Sequence, residues 1–232
     1  MNLIPLQEGL SAGKRPIPVF ASKVDATRYC YLIAGTHGDE PEGVYVQEKL
    51  VEWLKLAGLS IPFVIIPALN PDGLRDNIRG NGNGVDLNRN LPASNWSDEA
   101  RAERYFPGSE PASEPETQFL LELMEEYPPG LIFSFHSWQP FVNGRGDCDD
   151  ILEYIHLVNG YAIVKDDIDN HPTPGSLGSY VYEKMGIPII TFECPTLEQR
   201  EDLQSIWHEN KIALTGLMQS GLIQKHLQRY SG

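Results

Sequence analysis

Basic residues are scarce in this chain. Eighteen Lys and Arg face 32 Asp and Glu over 232 residues, leaving a formal net charge of −14. With no basic tract either, nucleic acid and anionic membrane surfaces are not expected as partners. An anionic small ligand stays within reach only if a few arginines gather in one pocket. Cysteine is rare as well. Cys30, Cys148 and Cys194 are an odd number at scattered spacing, which argues against a disulfide framework and for a reducing compartment. Cys30 and Cys194 lie in or beside apolar runs and read as buried thiols rather than nucleophiles. No stretch approaches ~20 uninterrupted apolar residues, so no membrane span is expected. The start, Met1-Asn2-Leu3-Ile4-Pro5, has no basic region and no apolar core of signal-peptide length, and a cytoplasmic location is expected. Internal repeats and linkers rich in Ser or charge are missing too. Residues 1–232 therefore read as a single domain with room for a substantial core.

What is present is an alternation of short β-branched and aromatic runs with helical patterns. Strands are expected over 29–34, 61–69, 131–135 and 187–192, and helices over 41–57, 114–126 and 199–218. The first helix opens at Pro41 and sets Val44, Val51 and Leu54 roughly on one face. In the second, Ser113 and Glu116 have capping-box spacing ahead of Phe119, Leu120, Leu123 and Met124. Nearly all-apolar strands separated by helices predict an α/β fold, a mixed and mostly parallel twisted sheet with helices on both faces. The segment from Asn70 to Pro111 is rich in Gly, Asn, Asp and Arg. It is too long for an idle connection and reads as a functional loop system.

Five short segments carry the chemistry. They are Gly35-Thr36-His37-Gly38-Asp39-Glu40, Asn70-Pro71-Asp72-Gly73, Gly84-Val85-Asp86-Leu87-Asn88-Arg89-Asn90, His136 after an apolar run, and Glu193 after another. Ligands bind at the carboxyl ends of parallel strands, and His37, His136 and Glu193 all fall there. His37 and Glu40 are close enough to grip one ion from a single loop. With His136 they would make three corners of a tetrahedron and leave the fourth for water, as in catalytic zinc sites. His156, His208 and His226 have helical or near-terminal settings and are weaker candidates. A carboxylate at an apolar strand end must face a cleft or find a partner, which makes Glu193 a candidate general base. Arg75, Arg79 and Arg89 could polarise a carbonyl and grip a substrate carboxylate.

Taken in order, from about Tyr31 to about Glu193, these segments resemble the zinc carboxypeptidase family. The run Arg79-Gly80-Asn81-Gly82-Asn83-Gly84-Val85-Asp86-Leu87-Asn88-Arg89-Asn90 is the most specific part. The resemblance implies one zinc per chain on His37, Glu40 and His136, with Glu193 as general base. It implies Arg79 as the carbonyl and oxyanion partner, and Asn88 with Arg89 as the pair that binds the substrate's terminal carboxylate. The short length and the pieces Ser113-Glu114-Pro115-Glu116-Thr117 and Thr173-Pro174-Gly175-Ser176 are similar to the bacterial murein tripeptide amidases within that family. Those enzymes cut the bond between γ-D-glutamate and meso-diaminopimelate during cell-wall recycling, which implies a small muropeptide with a free terminal carboxylate as partner.

Two positions depart from the family. The place of the mobile tyrosine of the digestive enzymes falls near Asn170-His171, which makes His171 a candidate substrate contact, and Leu91 stands where an aromatic residue commonly follows the Asn-Arg-Asn run. The pocket for the leaving residue is expected from the loop after His136 and from Gly175-Ser176-Leu177. Arg145, with Asp147, Asp149 or Asp150, would supply the two signs of charge that diaminopimelate requires. Two rivals remain at this stage. One is a zinc deacylase of N-acyl amino acids, such as N-succinylglutamate or N-acetylaspartate. The other is an inactive protein that binds peptidoglycan fragments.

Overall fold

Side-chain alternation along the apolar runs decides how this chain layers. The computed structural model describes residues 1–165 and 172–230. In chain order its strands are β1 (Leu3–Pro5), β2 (Gly9–Leu10), β3 (Pro16–Ile17), β4 (Phe20–Ser22), β5 (Tyr29–Ala34), β6 (Phe63–Ile66), β7 (Pro129–Trp138), β8 (Phe141–Arg145), β9 (Ala162–Val164) and β10 (Ile189–Pro195). The helices are α1 (Pro41–Ala57), α2 (Pro71–Asp76), α3 (Pro115–Glu126), α4 (Asp149–Asn159), α5 (Leu177–Tyr180), α6 (Leu203–Gln219) and α7 (Leu222–Arg229). Eight strands make one sheet in the order β1-β4-β6-β5-β7-β10-β8-β9, and β2 pairs with β3 apart from it. The central block β6-β5-β7-β10 is parallel, while β1, β4 and β8 join antiparallel. The expected mixed, mostly parallel sheet is what forms.

Alternate residues of each central strand feed opposite cores. Cys30, Leu32, Phe63, Ile65, Leu131, Phe133, Ile190 and Phe192 pack with Val46, Leu50 and Leu54 of α1, Ile151 of α4, Leu214 of α6 and Ile223 of α7. Tyr31, Ile33, Val64, Ile66, Ile132 and Ile189 pack instead with Leu120, Leu123 and Met124 of α3 and Leu177 of α5. Helices thus lie on both faces, but unevenly. The second face has much less helix, and the loop system from Asn70 to Pro111 covers the rest, with Leu87 and Leu91 in its core.

Several boundaries shift for physical reasons. The strand expected over 61–69 is only Phe63–Ile66, because Pro62 and Pro67 cannot donate to the ladder. The strands expected to stop at 135 and 192 run on through His136 and Glu193, so both residues lie inside strands, near their carboxyl ends. The capping box at Ser113 does not form. Pro115 opens α3, which makes Glu114 the cap residue, with no side-chain cap bond. Ser113 donates to Glu114 instead, and Glu116 is buried, accepting from Ala12 N–H and from Asn81. Helix α6 starts four residues late, at Leu203, because Asp202 caps it through Ser205 N–H at 2.7 Å.

Candidate active site

The strand alternation that builds the cores also aims the polar groups. Ser134 and His136 point to the same side as Ile132, and Thr191 and Glu193 to the same side as Ile189, which is the face with less helix. In the β7–β10 register Glu193 stands directly beside His136. His37 comes from the turn after β5, and Glu40 is the residue before Pro41 at the start of α1. That turn fits tightly under α2: a methyl group on Gly38 would collide with the Gly73 carbonyl, and one on Gly43 would crowd the His136 backbone. Asn70 fastens the same corner. Its amide oxygen caps α2 through Gly73 N–H at 2.8 Å, and its amide nitrogen donates to the Arg79 carbonyl at 3.2 Å. Two of the sequence motifs are therefore explained by how the loops are held.

His37, Glu40 and His136 converge, with their ligand atoms within 4.8 Å of one another. His37 Nδ1 lies 2.7 Å from Glu40 Oε1, His136 Nδ1 lies 2.7 Å from Glu40 Oε2, and the two Nδ1 atoms are 3.2 Å apart. Two nitrogens held tetrahedrally at ~2.0–2.1 Å from an ion stand roughly 3.3 Å apart, so the donor set fits zinc. The other ring nitrogens face away: His37 Nε2 meets Asp86 Oδ1 at 3.1 Å, and His136 Nε2 meets Ser134 Oγ at 2.8 Å. Such outer contacts fix ring orientation at metal sites. Asp86 also accepts from Arg79 Nε at 2.8 Å, and Arg79 Nη1 reaches Glu40 at 3.3 Å.

The electrostatics follow from this crowding. Burial pushes Glu40 up, but His37 and His136 outweigh it and hold the carboxyl well below its usual range. Burial likewise opposes ionisation of Asp86, yet Arg79 and His37 keep it strongly depressed. For His37, burial and Arg79 lower the pKa, while Glu40 and Asp86 raise it by more. Glu193 behaves in the opposite way. Burial dominates and lifts it to about 8, against the pull of His136 and Arg79, and its Oε2 is buried without a hydrogen-bond partner. An unsatisfied buried carboxylate oxygen beside a metal-binding triad is a group waiting for a proton-bearing partner.

These residues open into a cleft of about 700 Å³, also lined by Asn88, Arg89, Arg145, Thr173, Ser176, Leu177 and Trp138. Asn88 accepts from Leu177 N–H at 2.9 Å, and Leu91 N–H donates to the Gly175 carbonyl, so the Thr173–Ser176 turn is docked on the Asn88–Asn90 run. Arg89 donates to the Asn88 carbonyl at 2.7 Å. Three expectations need correction. Arg75 is outside the cleft and pairs with exposed Asp76. Arg145 lines the cleft but is on strand β8 rather than a loop, and the aspartates named with it turn elsewhere. Asp147 pairs with Arg229, Asp149 with Lys165, and Asp150 with Lys225 and His226. His171 lies outside the described residues. All three cysteines are buried, and burial pushes Cys148 up to about 12, which removes thiol nucleophiles from consideration.

Sequence reading missed Asp86, Ser134 and the Arg101–Tyr105 turn. Asp86 was within the most specific motif, and Ser134 is two residues before His136 on the same strand face. Arg101, Arg104 and Tyr105 had no motif to draw attention to them.

Comparison with known proteins agrees with this geometry. The zinc carboxypeptidase family model matches residues 9–147. Murein peptide amidase A of Vibrio campbellii is 30% identical over 216 residues, spanning 84% of this chain and 81% of that one. The Escherichia coli protein of the same name is 32% identical over 181 residues, spanning 73% and 72%. Among solved structures, the murein-tripeptide amidase of E. coli superposes with a TM-score of 0.72 at 26% identity, covering 90% of this chain and 89% of that one. Carboxypeptidase A of Helicoverpa armigera reaches 0.75 at 18% identity, covering 96% and 69%, which speaks to the fold alone. With the metal-binding triad, the match places this chain in the zinc carboxypeptidase family, as a zinc-dependent peptide hydrolase.

Proposed function

We propose that this protein is a murein peptide amidase, a single catalytic domain over residues 1–232 that hydrolyses the γ-D-glutamyl–meso-diaminopimelate bond of murein tripeptide or related muropeptides. It would do so in the cytoplasm, as part of cell-wall peptide recycling. The observation that carries the reaction is the buried, unpartnered Glu193 oxygen beside the His37–Glu40–His136 set. The names of the similar amidases support the substrate class.

His37, Glu40 and His136 would hold one zinc ion, which when bound lowers the pKa of water and polarises a carbonyl. Glu193 takes the proton of the attacking water and hands it to the leaving amine. Its burial keeps the carboxylate basic enough to accept that proton. Arg79, braced by Asp86, steadies the negative charge that develops on the scissile carbonyl oxygen. Asn88 and Arg89 anchor the terminal carboxylate, which fixes the amide over the base. Arg145 faces the leaving residue from β8 and would meet the distal carboxylate of diaminopimelate. His171 is proposed as a further substrate contact.

The test is a substrate panel read by mass spectrometry on the zinc-loaded protein: L-Ala-γ-D-Glu-meso-diaminopimelate, α-linked peptides with other terminal residues, and N-acyl amino acids. Release of free diaminopimelate in preference to the others supports the proposal. Preferential deacylation of N-acetylaspartate or N-succinylglutamate would replace it.

A further inference from the structure

The chain is short of cations, yet five of its ten arginines line this one cleft: Arg79, Arg89, Arg101, Arg104 and Arg145. No lysine joins them among the described residues. Four of the five gather on a single ring. The guanidinium carbons of Arg79, Arg89, Arg101 and Arg104 lie 5.1, 5.6, 4.8 and 5.5 Å from the centroid of Tyr105. Such contacts offset part of the repulsion between like charges, as do Asp86 and Glu40 beside Arg79 and Asp39 beside Arg104. Arg101 precedes a short turn, Glu103–Tyr105, and Arg104 lies within it, inside the loop system that roofs the cleft. Arg104 is tethered to Asp39, next to Glu40, by one bond of 3.0 Å. That ion pair is half exposed, so it is worth little and readily shared with an incoming carboxylate.

Cleavage beside a terminal residue needs one cation at the carbonyl and one at the terminal carboxylate, roles that Arg79 and Arg89 fill. Arg145 is on the wall formed by β8 and α5, where Gly178 approaches its side chain. Arg104 reaches the cleft beside the Asp39–Glu40 turn, and Arg101 shares the Tyr105 ring with it. A γ-linked glutamyl residue offers such a cluster a free α-carboxylate, separated from the scissile carbonyl by three carbons. An α-linked residue without an acidic side chain offers none.

We propose that Arg101 and Arg104, held against Tyr105, bind the free α-carboxylate of a γ-linked glutamyl residue on the acyl side of the scissile bond, and so select γ-glutamyl over α-linked residues that lack an acidic side chain. This rests on the amidase reading above and adds the element that reads the acyl-side carboxylate.

The test compares L-Ala-γ-D-Glu-meso-diaminopimelate with the same tripeptide carrying an amidated glutamyl α-carboxylate, D-isoglutamine in place of D-glutamate. For the zinc-loaded wild type, kcat/KM should favour the acid over the amide by about 10–100-fold, the effect of a charge-assisted hydrogen-bonded pair. In the Arg101→Gln, Arg104→Gln double variant that ratio should fall to near one. Calorimetric binding of the two peptides to the Glu193→Gln variant reads the same preference without turnover. Equal rates on acid and amide by the wild type would overturn the proposal, as would an undiminished ratio in the double variant. Failure of the wild type to cleave either peptide would overturn the amidase reading beneath it.

Discussion

Asp86 is a buried carboxylate and Glu193 a half-buried one with a buried oxygen, and their surroundings drive them in opposite directions. Asp86 has Arg79 and His37 on its two oxygens and stays ionised. Glu193 has an oxygen with no partner and is lifted to about 8. In the metal-free protein this has a consequence for stability. The native state keeps the Glu193 proton where the unfolded chain has already lost it, so this group's contribution falls as pH rises from 4.5 to about 8 and is level beyond. The melting temperature of metal-free wild type, taken relative to Glu193→Gln, should therefore decline across that window; a constant difference would contradict the burial argument. Asp86 acts through His37 and Arg79. Asp86→Asn should weaken zinc binding by about 10–100-fold in a competitive chelator titration, and unchanged affinity would remove Asp86 from that role. At this scale the sequence was legible where a residue type is itself the chemistry, as with His37, Glu40, His136 and Glu193. It was opaque where a role depends on which residue lies across a fold, as with Asp86 on His37 or Tyr105 under four arginines.

Among the elements, the loop system from Asn70 to Pro111 does most to shape the cleft, and its order comes from side-chain amides rather than from periodicity. Asn81 is the hub. Its oxygen accepts from Asn83 and Val85 N–H, and its nitrogen donates to Glu114 at 2.7 Å and Glu116 at 2.9 Å. Asn81→Ala would leave two buried carboxylates short of a donor and should cost about 1–3 kcal/mol or more in urea unfolding; a loss near zero would mean that the loop is held by other contacts. The central strands and α1 were readable because apolar runs and a proline start are local signals. Strand β8 was not, since Asn143 and Gly144 interrupt its apolar pattern and its pairing with β10 and β9 is what stabilises it. Helix α4 was hidden because its opening acids, Asp149 and Asp150, made the segment look like a charged loop, while Ile151, Leu152 and Ile155 bury underneath.

Over the whole molecule, charge is segregated. A chain with a net charge of −14 places half its arginines in one cleft, and none of its described helices is long and apolar enough to cross a membrane. The local positive field attracts carboxylates that the acidic remainder of the surface would repel. The triad ties the turn after β5 to β7, so zinc should stabilise the whole fold. At a free concentration of 100 times its dissociation constant it should add about 2.7 kcal/mol, reversible by chelation. A melting temperature indifferent to zinc would mean that the triad does not bind the ion in the native state. The most direct test of the account compares wild type and Glu193→Gln at equal zinc occupancy on L-Ala-γ-D-Glu-meso-diaminopimelate, with free diaminopimelate followed by mass spectrometry. The account predicts release by the wild type and a fall of about 10²–10⁴ in kcat for the variant. Equal turnover by the two, or none by a folded and zinc-loaded wild type, would contradict it.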